Sequence, residues 1–308
     1  MPSPSRGRSM AVPYAMLGGA QVAVGAAGIF ARYALSGALP LAVCAARLTI
    51  ASLALLAIAA LRGGAGKIAP TGRERTVLVL AGVFLGLHFA GWIWSLEYVS
   101  VAESTLLVTT TPIWTALYDS LFLKRHLSPA AWAAFAAGAA GLLLVVGFNR
   151  TAPPMAGHHL AGALLALLGA FAIGAYWLLV RTVRARLDTR AIVTHTYGYA
   201  AVGLIAAAVF ARQPAPPLHD EVAWAGILAM ALISQLLGHT AMNSALKWFS
   251  PSIISFVTVL EPVIAALLAL AIFGESLTAP AFFGGIIVIA AIAVVLREDQ
   301  QRPATPEL

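Results

Sequence analysis

The sequence predicts an all-α polytopic membrane protein: ten transmembrane helices arranged as two inverted five-helix repeats, with both termini cytoplasmic. Three observations predict it. The 308 residues are 60% hydrophobic and only 10% charged, with a mean hydropathy of +0.88, too apolar for a water-soluble domain of this length. Runs of about 20 apolar residues, enough to cross a hydrocarbon core, recur from end to end. The second half also repeats landmarks of the first at a fixed offset and without a gap.

The offset is set by Pro112 and Pro262, each inside an apolar segment and 150 positions apart. Leu96-Glu97-Tyr98-Val99-Ser100 aligns with Leu246-Lys247-Trp248-Phe249-Ser250, Ala116-Leu117 with Ala266-Leu267, and Leu127-Ser128 with Leu277-Thr278. Identity alone means little in a chain rich in Ala and Leu. The shared Ser at a helix junction, Pro within the next segment and Leu-Ser/Thr at the following start mean more. Duplication across very apolar segments is typical of secondary transporters, which build their site between the repeats.

In chain order, the first apolar segment is Met10–Ala34. Arg6 and Arg8 precede it as in a signal peptide, but the run is too long for a signal's apolar region and reads as a retained helix. The others are Leu39–Leu61, Thr76–Val99, Val101–Leu123, Ser128–Val146, His159–Val180, Ala191–Phe210, Val222–Phe249, Pro251–Phe273 and Ala279–Leu296. Connections Arg62–Arg75, Gly147–His158 and Ala211–Glu221 carry the Gly, Pro and charge of loops. The organisation is therefore a cytoplasmic segment at 1–9, repeats at 10–150 and 151–296, and a polar cytoplasmic tail at 297–308.

Charge sets the orientation. With the N-terminus inside, fifteen Lys and Arg fall on the inner side, and only Arg32, Arg150 and Arg212 on the outer. Five helices is an odd number, so equivalent positions of the repeats face opposite sides. Glu97 falls outside and its partner Lys247 inside; Arg125 falls inside and its partner Glu275 outside. The net charge of +7 is spread between apolar blocks and forms no nucleic-acid patch. Cys44 is the sole cysteine, so no internal disulfide and no cysteine metal cluster is expected.

Leu260-Glu261-Pro262-Val263, Ala265-Ala266-Leu267-Leu268 and Phe273-Gly274-Glu275 resemble the ninth-helix signature of the EamA-type transporters of the drug/metabolite transporter superfamily. His88-Phe89, Trp92-Ile93-Trp94-Ser95-Leu96 and Thr109-Thr110-Thr111-Pro112 resemble the first-half counterpart in one subgroup. Gly238-His239-Thr240 with Asn243 resembles that subgroup's eighth helix, and Arg47 matches an arginine common in the second. The likeness spans all ten segments. It implies transport of a small metabolite, often outward, without fixing the substrate. The chain departs from the pattern at Lys124-Arg125-His126, where many members carry an acid.

Candidate site residues follow from polar groups at membrane depth. Glu261 lies near the middle of its segment, where a carboxylate must be paired, face a cavity or be protonated. Pro262 lacks an N–H and frees the carbonyl of Thr258; Pro112 does the same to Val108, so both are hinge or kink candidates. Arg47 is suited to hold a carboxylate bidentately or to pair with an acid such as Glu261. Gln235, His239, Asn243 and Lys247 form a polar stripe at spacing four, with Lys247 snorkelling. His88 with Trp92, His195 with Tyr199, and Thr111 complete the set; each also has an ordinary packing role.

A cation and an anion in one apolar cavity suit a zwitterion. The expected function is a secondary transporter that exports small metabolites, amino acids or related compounds, by alternating access and coupled to protons. The alternatives are an intramembrane enzyme or a passive channel. The sequence has no His-Glu-x-x-His, Asp-Asp-x-x-Asp or Gly-x-Gly-Asp motif, no phosphate-binding Gly-rich loop, and no repeated filter or charged ring. No catalytic residue, metal or cofactor is expected. The expected partners are the small-molecule substrate, protons and the lipid bilayer of a bacterial cytoplasmic membrane, with no nucleic acid, the chain being a monomer or weak homodimer.

Overall fold

A segment crossing hydrocarbon must satisfy its own backbone, and the described residues are helical almost throughout. The structure, a computed structural model, describes residues 10–99, 101–122, 128–147, 158–273 and 278–301. Segment 1–9, the triplet Lys124-Arg125-His126, Arg150, Gly274-Glu275 and tail 302–308 lie outside them.

The helices are α1 (Ala11–Ala34, with a turn at Ala26), α2 (Pro40–Leu61), α3 (Gly72–Ser95) and α4 in two pieces, Val101–Val108 and Thr111–Phe122. They continue as α5 (Pro129–Gly147), α6 (His159–Arg184), α7 (Thr189–Phe210), α8 (Glu221–Ala245), α9 (Pro251–Ile272) and α10 (Ala279–Gln301). Seven are long and apolar enough to cross a membrane: α1, α2, α3, α6, α7, α8 and α9. The apolar stretches of α5 and α10, Pro129–Leu144 and Phe282–Arg297, are shorter.

Local chemistry moves several ends from their expected places. Thr71 and Glu74 form a capping box, so α3 starts at Gly72 rather than Thr76. Asp188 accepts from the Ala191 N–H, so α7 starts at Thr189. Pro40 and Pro251 open α2 and α9, where a missing N–H costs nothing. The last helix runs to Gln301, taking in the first five residues of the stretch read as a tail from Arg297.

Packing obeys the symmetry that an inverted repeat requires. Exchanging α1 with α6, α2 with α7, α3 with α8, α4 with α9 and α5 with α10 maps the main contacts onto one another. α3 packs on α6 as α8 packs on α1; α4 packs on α6 as α9 packs on α1; α2 faces α7 and α5 faces α10. Glycine permits the closest approaches. A Cβ on Gly91 of α3 would lie 2.6 Å from the Leu165 carbonyl of α6, and one on Gly226 of α8 would lie 2.5 Å from the Ala34 nitrogen of α1.

At one end of the bundle the α2–α3 and α6–α7 connections are tied together. Arg186 pairs with Glu74 through two nitrogens and donates to the Ala69 carbonyl at 2.9 Å. Asp188 accepts from the Lys67 N–H at 3.0 Å as well as from Ala191. Burial opposes the charge of Asp188, yet those two N–H groups, with Arg190 and Arg184, hold its carboxyl below the ordinary range. Its folded pKa is depressed, so its contribution is full above the unfolded value of about 3.9 and is lost as pH falls through the folded value. Asp188→Ala is expected to cost about 1 kcal/mol at neutral pH. Melting curves of both proteins at pH 7 and pH 3 check this: the difference should shrink in acid.

Candidate functional site

Arg47 lies on α2, one turn after Cys44, and is fully buried. Its guanidinium carbon sits 4.0 Å from the centroid of the Phe89 ring. Nε, Nη1 and Nη2 are all buried without a hydrogen-bond acceptor. The Cys44 thiol donates to the Phe89 carbonyl at 3.3 Å, fixing α2 against α3 beneath the guanidinium.

Around this group the structure gathers aromatic and polar side chains from α3, α6, α7 and α8. The Phe89 ring is 5.2 Å from His239, and His239 lies nearly parallel to Trp177 at 6.4 Å. The His88 ring is 6.3 Å from that of His239. His88 Nδ1 is 2.9 Å from the Gly169 carbonyl; a carbonyl only accepts, so Nδ1 carries the proton. Tyr176 donates to Asn243 Oδ1 at 2.8 Å, and Asn243 Nδ2 donates to the His239 carbonyl at 2.9 Å, so this corner is closed internally. Tyr197 reaches Thr240 Oγ1 at 3.2 Å and the Gln235 carbonyl at 3.4 Å.

The rest of the cluster is unsatisfied. His239 Nδ1, Trp177 Nε1, Thr194 Oγ1 and both amide atoms of Gln235 are buried with no partner, as are both amide atoms of Gln21 on α1. Buried polar groups are ordinarily bonded, so the Arg47 nitrogens with His239 Nδ1 and Trp177 Nε1, joined through the Phe89 and His239 rings, mark a place built to meet something else. The expected stripe is present, with Gln235, His239 and Asn243 buried and Lys247 exposed. Its backbone is π-helical from Met230 to His239, a wide turn common at functional sites.

The expected residues divide. Arg47, His88, Gln235, His239 and Asn243 come together. Trp92 is half-buried and seated on Gly169 of α6. Tyr199 is half-buried, its Cβ against Gly82 and its ring 6.3 Å from His195. Glu261 is half-buried on α9, which packs against α1 and α4, whereas α2 packs against α7 and the π stretch of α8. No ion pair joins Glu261 to Arg47, whose three nitrogens have no acceptor. The cation and anion expected in one cavity are therefore not paired with each other.

The carbonyls expected to be freed by proline are taken locally. The Thr111 hydroxyl donates to the Val108 carbonyl at 2.8 Å, and also lies 3.3 Å from the Ala170 carbonyl of α6. The Thr258 carbonyl accepts from the Glu261 N–H within a 3-10 turn, Thr258–Leu260. Both helices are interrupted just before their proline as expected, but neither carbonyl is left to line a cavity. Tyr176, Trp177, Tyr197, Thr194 and Gln21 were not singled out by sequence reasoning. Gln21, a lone amide inside an apolar run, carried a usable signal; the aromatics did not, because membrane-interface aromatics look the same.

Among the described residues no group of three or more metal-ligating side chains occurs. No curated protein matches the chain significantly. A solved structure described only as "Crystal structure of protein" is similar with a TM-score of 0.78 over 95% of this chain and 99% of that one, at 17% identity. That likeness shows a shared fold. The EamA-like transporter family matches twice, at residues 12–147 and 160–297. Two such matches covering both repeats of an all-helical membrane chain establish that the protein belongs to the EamA-like transporter family, within the drug/metabolite transporter superfamily, and is a membrane transporter of that type.

Proposed function

We propose that the chain is a secondary transporter that exports small metabolites, amino acids or related compounds, by alternating access around the Arg47 cluster. The observation that carries this reading is the fully buried guanidinium without an acceptor. A charge at membrane depth needs a partner, and a carried molecule is the partner that comes and goes.

Packing asymmetry supports the alternating movement. The repeats are related in sequence but differ in packing where α4 meets α9. Pro251–Val257, the first part of α9, is buried at every position, and Ser255 bonds Thr115 of α4 at 2.8 Å. Among the described side chains of the counterpart, 101–107, only Ser104 is buried. One end of this interface is tight and the other loose, as in a carrier closed on one side. With ten crossings and cytoplasmic termini, the tight end is cytoplasmic and the loose end faces outward.

The test is counterflow of a labelled amino-acid panel into proteoliposomes. Saturable, competable uptake of one or a few members is expected; linear uptake without counterflow would point to a channel and end the carrier reading. Glu261 is the proposed proton carrier, lying about midway along the membrane span Pro251–Ile272. Glu261→Gln should flatten the pH dependence of counterflow while substrate affinity changes less than about threefold. A full pH profile in the variant would remove Glu261 from the coupling.

A further inference from the structure

We infer that the Arg47 cluster reads one carboxylate of the carried molecule and does not read an amino group, so that its substrates are small molecules bearing a single carboxylate, amino acids among them. This rests on the transporter reading above and narrows its site.

The charges argue for it. Arg47 offers planar N–H donors with no protein acceptor, the geometry that a carboxylate meets bidentately. Trp177 Nε1, which only donates, is buried and unpartnered in the same cluster, and the Gln235 amide can donate too. No described carboxylate balances Arg47. Glu74, Asp188, Asp220 and Glu221 sit at helix starts, Glu97 follows α3, and Glu103 is in the first turn of α4 beside His159. Glu261 is not paired with Arg47.

One guanidinium balances one negative charge. A carboxylate brought to it leaves a neutral, desolvated pair. An ammonium would find no carboxylate there and would be repelled by Arg47. A dianion such as a phosphate monoester would leave one negative charge buried and unbalanced. Phe89, Trp177 and His239 offer ring faces and edges to the body of the molecule, not a second charge.

Binding to the purified full-length protein in detergent tests this without transport, using melting temperature or tryptophan fluorescence. The probes are leucine, phenylalanine and glutamine, each beside its deaminated acid and its amide, with methyl phosphate as the dianion. For at least one body, the deaminated acid is expected to bind within about threefold of the amino acid, while the amide binds at least about tenfold more weakly. Arg47→Lys should keep the preference for acid over amide with reduced affinity, and folded Arg47→Met should lose it. An amide that binds as well as its acid would overturn the inference, as would an Arg47→Met protein with unchanged affinity, or no binding by any carboxylate. The two readings fail separately: saturable counterflow of an amide would sink the carboxylate inference and leave the carrier standing.

Discussion

Arg47→Met is expected to lower counterflow by about a hundredfold or more while leaving the protein at least as stable as before. The two halves of this result have one cause. The guanidinium is fully buried and its nitrogens lack acceptors, so by itself it contributes desolvation cost without an ion pair. Met fills much of the same volume, stays close to the Phe89 ring and removes the charge. When substrate is present the balance reverses, because the variant has nothing to offer an incoming carboxylate. Rate and melting temperature measured on the same preparation decide it. A protein that melts far lower but still transports would make Arg47 a structural residue.

Gly226→Val is expected to destabilise the protein by about 3 kcal/mol or to prevent its folding. The obstruction is backbone: a Cβ at this position would lie 2.5 Å from the Ala34 nitrogen and 2.6 Å from the Phe30 carbonyl. Neither can swing aside as a side chain could, so α1 and α8 must separate. Gly203, where a Cβ meets nothing within 4 Å, is the control; Gly203→Val should be tolerated. The yield of monodisperse protein and its melting temperature check both. Equal behaviour of the two variants would show that the α1–α8 approach is not close in the folded protein.

The membrane class and the repeat were legible because they depend on properties a linear chain displays. Partition into hydrocarbon follows from the length of apolar runs. The duplication follows from the spacing of Pro112 and Pro262. Cap signals were legible in principle: Thr71 with Glu74, and Asp188, place helix starts that apolarity alone put at Thr76 and Ala191. The site was legible only in part. Arg47, His88, Gln235, His239 and Asn243 are conspicuous as polar residues in apolar helices. Tyr176, Trp177 and Tyr197 are not, since an aromatic in a membrane helix is ordinary wherever it sits.

Sequence by itself determined that this chain enters a membrane, that its halves repeat each other, and that it belongs with the EamA-like transporters. Only the tertiary structure decided which polar groups meet. Arg47 faces Phe89 and is not paired with Glu261, and the carbonyls freed by Pro112 and Pro262 are bonded by Thr111 and Glu261 themselves. The reason is that helices apolar on nearly every face carry no stripe to say which side turns inward. Depth along the membrane is written in the chain, but lateral neighbours are chosen by the fit of small residues and shapes across helices.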